Sequence, residues 1–199
     1  MKNFKWGTKS FDESPIYVVL FVSRKKDNTH IENFVERRES FITHHAWDSE
    51  YLQNKFNEFV NRGKNTELSR MYFSVNERDP NKIYKELLHF LIDNPDFNLC
   101  SISPKLAGIA ATKECALSKR WMFDFDNPDI NLANEFINDI SKLIDIPLKT
   151  TIYPTPHGFA IVTERGFDCR SLLEKYNYVT LKRDDLLCVK WSSKNAEKN

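Results

Sequence analysis

The sequence predicts an α/β (α+β) domain, a mixed β-sheet with flanking helices. Three observations carry that prediction. Hydrophobic residues make up 41% of the 199-residue chain and aromatic residues 13%, enough for a real core. Short β-branched and aromatic runs alternate with amphipathic runs of helical period. Turn signals late in the chain join strand to strand directly, as in a hairpin.

The elements follow in order. Residues 1–15 are polar and are expected to form a loose arm, before a single domain over 16–191 and a polar tail over 192–199. IYVVLFVS (16–23) reads as a buried strand and RKKDNTH as a charged turn. Residues 31–43 fit neither period decisively. Asp48 and Ser49 can cap a helix to about 61, with Tyr51, Leu52, Phe56, Phe59 and Val60 on its apolar face and Gly63 at its stop.

SRMYFSVNERD (69–79) alternates: Met71, Phe73 and Val75 face one way, and Arg70, Tyr72, Ser74, Asn76 and Arg78 the other. Asp79-Pro80 opens a helix to about 93, with Ile83, Leu87, Leu88 and Leu91 expected inside. A second helix is expected over 104–117, where Gly108 would allow close packing. RWMFDFD (120–126) is the next strand, and Asn127-Pro128-Asp129 starts a helix to about 144. Residues 148–155 and 158–164 form a hairpin through a Pro-His-Gly turn. A short helix from about Asp168 and a final strand pair, YVTLK and LLCVKW, complete the chain.

Formal net charge is +1, so any polyanion surface must be a local patch. The four cysteines contain no C-x-x-C pair, which argues against a zinc knuckle. MKNFKWGTKSFDESP lacks the apolar core of a secretion signal, and the longest apolar run is too short to cross a bilayer. A cytoplasmic setting with free thiols, and no membrane, is expected.

The pattern raises one chemical question, in KRWMFDFDNPD. Strand periodicity puts Trp121, Phe123 and Phe125 on one face and Met122, Asp124 and Asp126 on the other. Two carboxylates on one face repel unless a cation lies between them or one stays protonated. Mg²⁺ or Mn²⁺ is the natural cation, and such pairs serve phosphoryl and nucleotidyl transfer. The plain alternative is a strand end emerging into water, with Asp126 to Asp129 as turn and cap.

Other candidates gather around that pair. Arg70, Tyr72, Ser74, Asn76 and Arg78 are suited to phosphate and sugar, or are simply a solvated strand face. His157 at the hairpin tip is suited to acid–base or phosphate contact, or is a solvated turn residue. KRDD (182–185) supplies Lys182 and a third carboxylate, Asp185, or is a charged hairpin turn. His44 and His45 are adjacent and point to opposite strand faces, a poor chelating pair.

The order R-x-Y-F-S-V-N-x-R, helix, K-R-W-M-F-D-F-D, T-P-H-G-F-A-I-V, short helix and strand pair resembles a group of uncharacterised phage and bacterial proteins. Its D-h-D strand, followed by a T-x-x-G-x-H-h-h type strand, is in turn similar to the archaeo-eukaryotic primase (primase-polymerase) superfamily. The resemblance spans 69 to about 191 and implies a primase-like palm core. It also implies Mg²⁺ or Mn²⁺ at Asp124 and Asp126, and nucleotide and nucleic acid as partners. The superfamily's second-motif histidine falls at Ala160, with His157 three residues earlier. Its third-motif aspartate falls at Thr180, with Asp184 and Asp185 displaced from it.

The expected function is therefore a primase-polymerase-like protein that binds divalent metal, nucleotide and nucleic acid, as a nucleotidyltransferase or a catalytically degenerate relative. The alternative is a non-catalytic phage factor that binds a host protein or nucleic acid. A third is a haloacid-dehalogenase-like phosphatase, with D-x-D at Asp124 and Asp126 and a late acidic pair at Asp184 and Asp185.

Overall fold

The computed structural model describes residues 15–144 and 146–194. Nearly all of the expected arm, and residues 195–199 of the expected tail, lie outside the described residues. The α+β class holds, but the strands do not form one mixed sheet. They divide between two four-stranded sheets in which every pairing is antiparallel.

The first sheet has the order β2-β1-β3-β8, from β1 (Tyr17–Ser23), β2 (Arg37–Thr43), β3 (Leu68–Ser74) and β8 (Leu186–Ser193). β2 settles the ambiguous stretch at 31–43. One face of this sheet is covered by α1 (Glu50–Asn61). Ser49 caps α1, its hydroxyl accepting from the Leu52 amide. The expected apolar face of α1 is buried against Val19, Phe21, Met71 and Phe73, except Tyr51, which is exposed.

The opposite face is covered at one end only. There α2 (Pro80–Asp93) and α3 (Ile102–Ala110) bury Ile83, Ala107 and Ala110 against Ile16 and Val18. α2 begins as expected, with Asp79 as cap and Pro80 at its first position. Its burial is smaller than expected, because Leu88 is exposed and Ile83 is its one fully buried residue. α3 stops well short of 117, and a 3₁₀ turn at Lys113–Cys115 follows. Gly108 has open space where a Cβ would be, so close packing does not explain it.

The second sheet has the order β5-β6-β4-β7, from β4 (Trp121–Phe125), β5 (Thr150–Thr155), β6 (Gly158–Thr163) and β7 (Val179–Lys182). Its outer face packs on α4 (Ile130–Lys142) and α5 (Arg170–Lys175). Phe123 and Phe125 meet Phe136 edge-on, and Phe136 meets Tyr176 in the same way. Each buried ring contributes roughly 1.5–3 kcal/mol by leaving water. The aromatic side of WMFDFD is thus the core side, as its period predicts, and the acids face away from it.

The final strand pair is not a pair. β7 bonds to β4 in the second sheet, while β8 crosses over and bonds to β3 in the first. A charged turn between two strands reads the same whether the chain folds back or crosses to another sheet. Here Asp184 is captured by Arg78, beyond the end of β3, which draws β8 to that sheet. β8 also runs past the expected boundary at 191, with Ser192 and Ser193 opposite Ser69 and Leu68. The sheets meet where Val75 and Leu187 pack on Met122 and Ala160.

Candidate functional site

The partial cover of the first sheet creates the site. α3 leaves the rest of its face open, and the inner face of the second sheet stands opposite. Between them lies a cleft of about 610 Å³. Asp124, Asp126, His157, Arg70, Tyr72, Lys182 and Asp185 all line it.

Asp124 sits in β4, directly between Ala160 of β6 and Thr180 of β7. The two positions where the primase resemblance places a histidine and an aspartate are therefore the cross-strand neighbours of Asp124. Neither carries an ionisable group. Burial pushes the Asp124 carboxyl above its usual range; Asp126 and Asp185 push it further, and Lys182 opposes them. Asp126 follows β4 and is exposed.

The hairpin tip carries His157 to the same place. Gly158 opens β6, and a Cβ there would lie 2.2 Å from the Phe125 carbonyl oxygen and 2.8 Å from Asn127 backbone atoms. Only glycine permits this approach of β6 to the end of the Asp124 strand. Gly158→Ala is expected to cost about 1–3 kcal/mol through forced backbone movement. Urea denaturation checks this, and an unchanged midpoint would show that the backbone relaxes freely.

Arg70 crosses from the first sheet. Its Nη2 lies 2.8 Å from Asp27 Oδ1 and 3.4 Å from His157 Nε2. Arginine only donates, so His157 receives that contact through its ring lone pair. Arg24 holds the other oxygen of Asp27 at 2.9 Å and lies over the Tyr72 ring. Burial raises the Tyr72 hydroxyl, and it pushes the neighbouring Cys188 thiol up to about 11. Both remain protonated at neutral pH and serve as wall rather than nucleophile.

The rest of the expected phosphate face is elsewhere. Ser74 is buried, and its hydroxyl accepts from the Val18 amide. Asn76 is buried and binds the Arg120 backbone through both its amide nitrogen and its oxygen. Arg78 is 1% exposed and grips Asp184 at 2.9 and 2.8 Å. None of the three lines the cleft. β3 ends at Ser74, so strand alternation no longer sets the direction of Asn76 and Arg78. The same contacts consume both carboxylate oxygens of Asp184, which removes it from any acidic pair with Asp185.

Arg24, Lys26 and Arg38 also line the cleft and were not singled out from sequence. The signal for Arg24 and Lys26 is the RKK run directly after the first strand, which reads equally as a solvated turn, and Arg38 lies in the stretch at 31–43 that fits neither period. Cations thus come mainly from the first sheet and acids from the second. A separate pocket of about 300 Å³, walled by Tyr17, Trp47, Phe73 and Tyr153, lies on the α1 side of the junction and holds no carboxylate pair.

Among the described residues, no three His, Cys, Asp or Glu side chains form a ready-made metal cage. Asp185 is engaged at the rim, where it accepts from the Leu186 amide and lies 3.9 Å from Lys182. Asp124 and Asp126 are the residues that could hold a hard cation here, with water and ligand phosphates needed to complete its shell, the usual manner of Mg²⁺.

Comparison of the chain with protein-family models, curated proteins and solved structures returned no match. Among the described residues no helix is long and apolar enough to cross a membrane.

Proposed function

We propose that the cleft binds a nucleotide together with Mg²⁺ or Mn²⁺, in the manner of a primase-polymerase-like domain. The observation that carries this reading is the meeting of Asp124 and Asp126 with Arg24, Arg70 and Lys182 in one cleft between two sheets. A bound divalent ion would neutralise phosphate charge and relieve the repulsion between the acids. Arg70, with its planar fork, orients phosphate, and Lys182 offsets the charge of Asp124. Nucleic acid is the second ligand of this reading, approaching over the cationic first sheet.

A binding-only role is the second reading. Ala160 and Thr180 favour it, because the strands beside Asp124 supply no acid or base there. Titration calorimetry with Mn²⁺, with and without a nucleoside triphosphate, tests the shared part. Binding that tightens at least about tenfold with nucleotide is expected. Absence of Mn²⁺ binding in either condition would sink both forms. Primer extension on a template then separates them: extension supports transfer, and binding without extension supports the second form.

A further inference from the structure

Strand register places four residues in one row across the first sheet. Arg38 stands opposite Val22, Val22 opposite Arg70, and Arg70 opposite Trp191. Directly opposed residues share a face, so Trp191 shares the face of Val22, Arg38 and Arg70, which line the cleft, and stands at its margin, outside the lining itself. Strands lie about 4.8 Å apart, so Trp191 is one strand beyond Arg70 and Arg38 two strands before it. The extra residue of β8 near Val189 keeps Trp191, as well as Cys188, on this face.

Trp191 is 42% exposed, whereas Trp47 and Trp121 are more covered. Among the described residues no ring or cation is stacked on it, while Arg183 lies over Trp121. An open indole beside an arginine that already touches His157 is a surface suited to a base whose phosphates lie deeper, toward Asp126.

We infer that Trp191 stacks the base of the nucleotide held in the cleft, and so selects a nucleotide over a bare polyphosphate. The inference rests on the metal–nucleotide reading of the cleft. Stacking of this kind tolerates any base, because every base has a π-face, so discrimination between bases is not expected.

The test compares two probes, adenosine triphosphate and inorganic tripolyphosphate, each with Mn²⁺, by calorimetry on the wild type, Trp191→Ala and Trp191→Phe. Wild type should bind the nucleotide about tenfold tighter than tripolyphosphate. Trp191→Ala should lose that preference and leave tripolyphosphate affinity unchanged, and Trp191→Phe should keep most of it. Nucleotide should also quench a fluorescence component that Trp191→Phe lacks. Equal affinity of wild type for the two probes, or equal loss of both in Trp191→Ala, overturns the stacking role alone. Failure of wild type to bind Mn²⁺ with either probe overturns the reading of the cleft, and this inference with it.

Discussion

Replacing Asp124 with Asn is expected to stabilise the ion-free protein at neutral pH and, on the proposed metal–nucleotide reading of the cleft, to weaken Mn²⁺ binding sharply. The half-buried carboxylate is held above its ordinary pKa by burial, then by Asp126 and Asp185. The folded state therefore binds a proton at Asp124 more readily than the unfolded state does. Stability from this group is fully present below the unfolded value, about 4, and falls as pH rises through the raised folded value. Asn carries no such penalty, so its advantage should open across that window and stay level above it. Mn²⁺ affinity should meanwhile fall by about 100-fold or more, beyond the usual effect of altering a residue that only supports a ligand. Urea denaturation at pH 3.5 and pH 7, paired with calorimetry, reads both effects, with the pH values set about either side of the ordinary aspartate range. A variant that is less stable than wild type at pH 7 would mean that Asp124 has a structural partner in the fold.

The second large effect belongs to Arg78. Arg78→Met should cost about 3–5 kcal/mol, because it leaves the Asp184 carboxylate, whose side chain is 8% exposed, without its cation and with the Asn76 amide, 3.1 Å from Oδ1, as its remaining side-chain donor. Adding Asp184→Leu should recover most of that loss, since an apolar pair of similar volume avoids the desolvation of both charges. The pair is also incompletely satisfied, because Arg78 Nε is buried without a partner. Asp184→Leu also removes the bond that Asn76 Nδ2 donates to Asp184 at 3.1 Å, while the Arg120 carbonyl, also at 3.1 Å, still accepts from that amide. Equilibrium urea unfolding of the single and double variants measures the coupling. A single-variant cost below about 1 kcal/mol would show that water reaches Asp184 in the folded state.

Periodicity made much of this legible. The alternation of WMFDFD separates core from cleft correctly, because β4 is flanked on both sides and its two faces meet different surroundings. The caps at Ser49, Asp79 and Asp129 are local signals, and all three hold in the structure. The turn that carries His157 was equally local. What failed was non-local. Nothing near residue 184 announces that Arg78 will bind it, so a sheet crossing reads as a hairpin. Alternation through residue 78 assumed that the strand continued, whereas it ends at Ser74 and the chain turns Asn76 and Arg78 inward. Leu88 carries the same lesson from the other side: it falls on the expected helical phase, but among the described residues no element covers it.

The passage of β8 back to β3 has a consequence for the order in which the protein is made. The second sheet is built from one continuous span, Trp121 to Lys182, and every strand it needs is adjacent in the chain. The first sheet instead begins with Tyr17 and receives its last strand from Leu186–Ser193. During synthesis β3 must wait with one edge bare until more than a hundred further residues, through β8, have left the ribosome. Such an edge is a template for pairing with other chains, and long-range closure of this kind is slow. Premature termination after Lys182 would therefore release a chain with an intact second sheet and a sticky first one, prone to aggregate rather than to lose its fold outright.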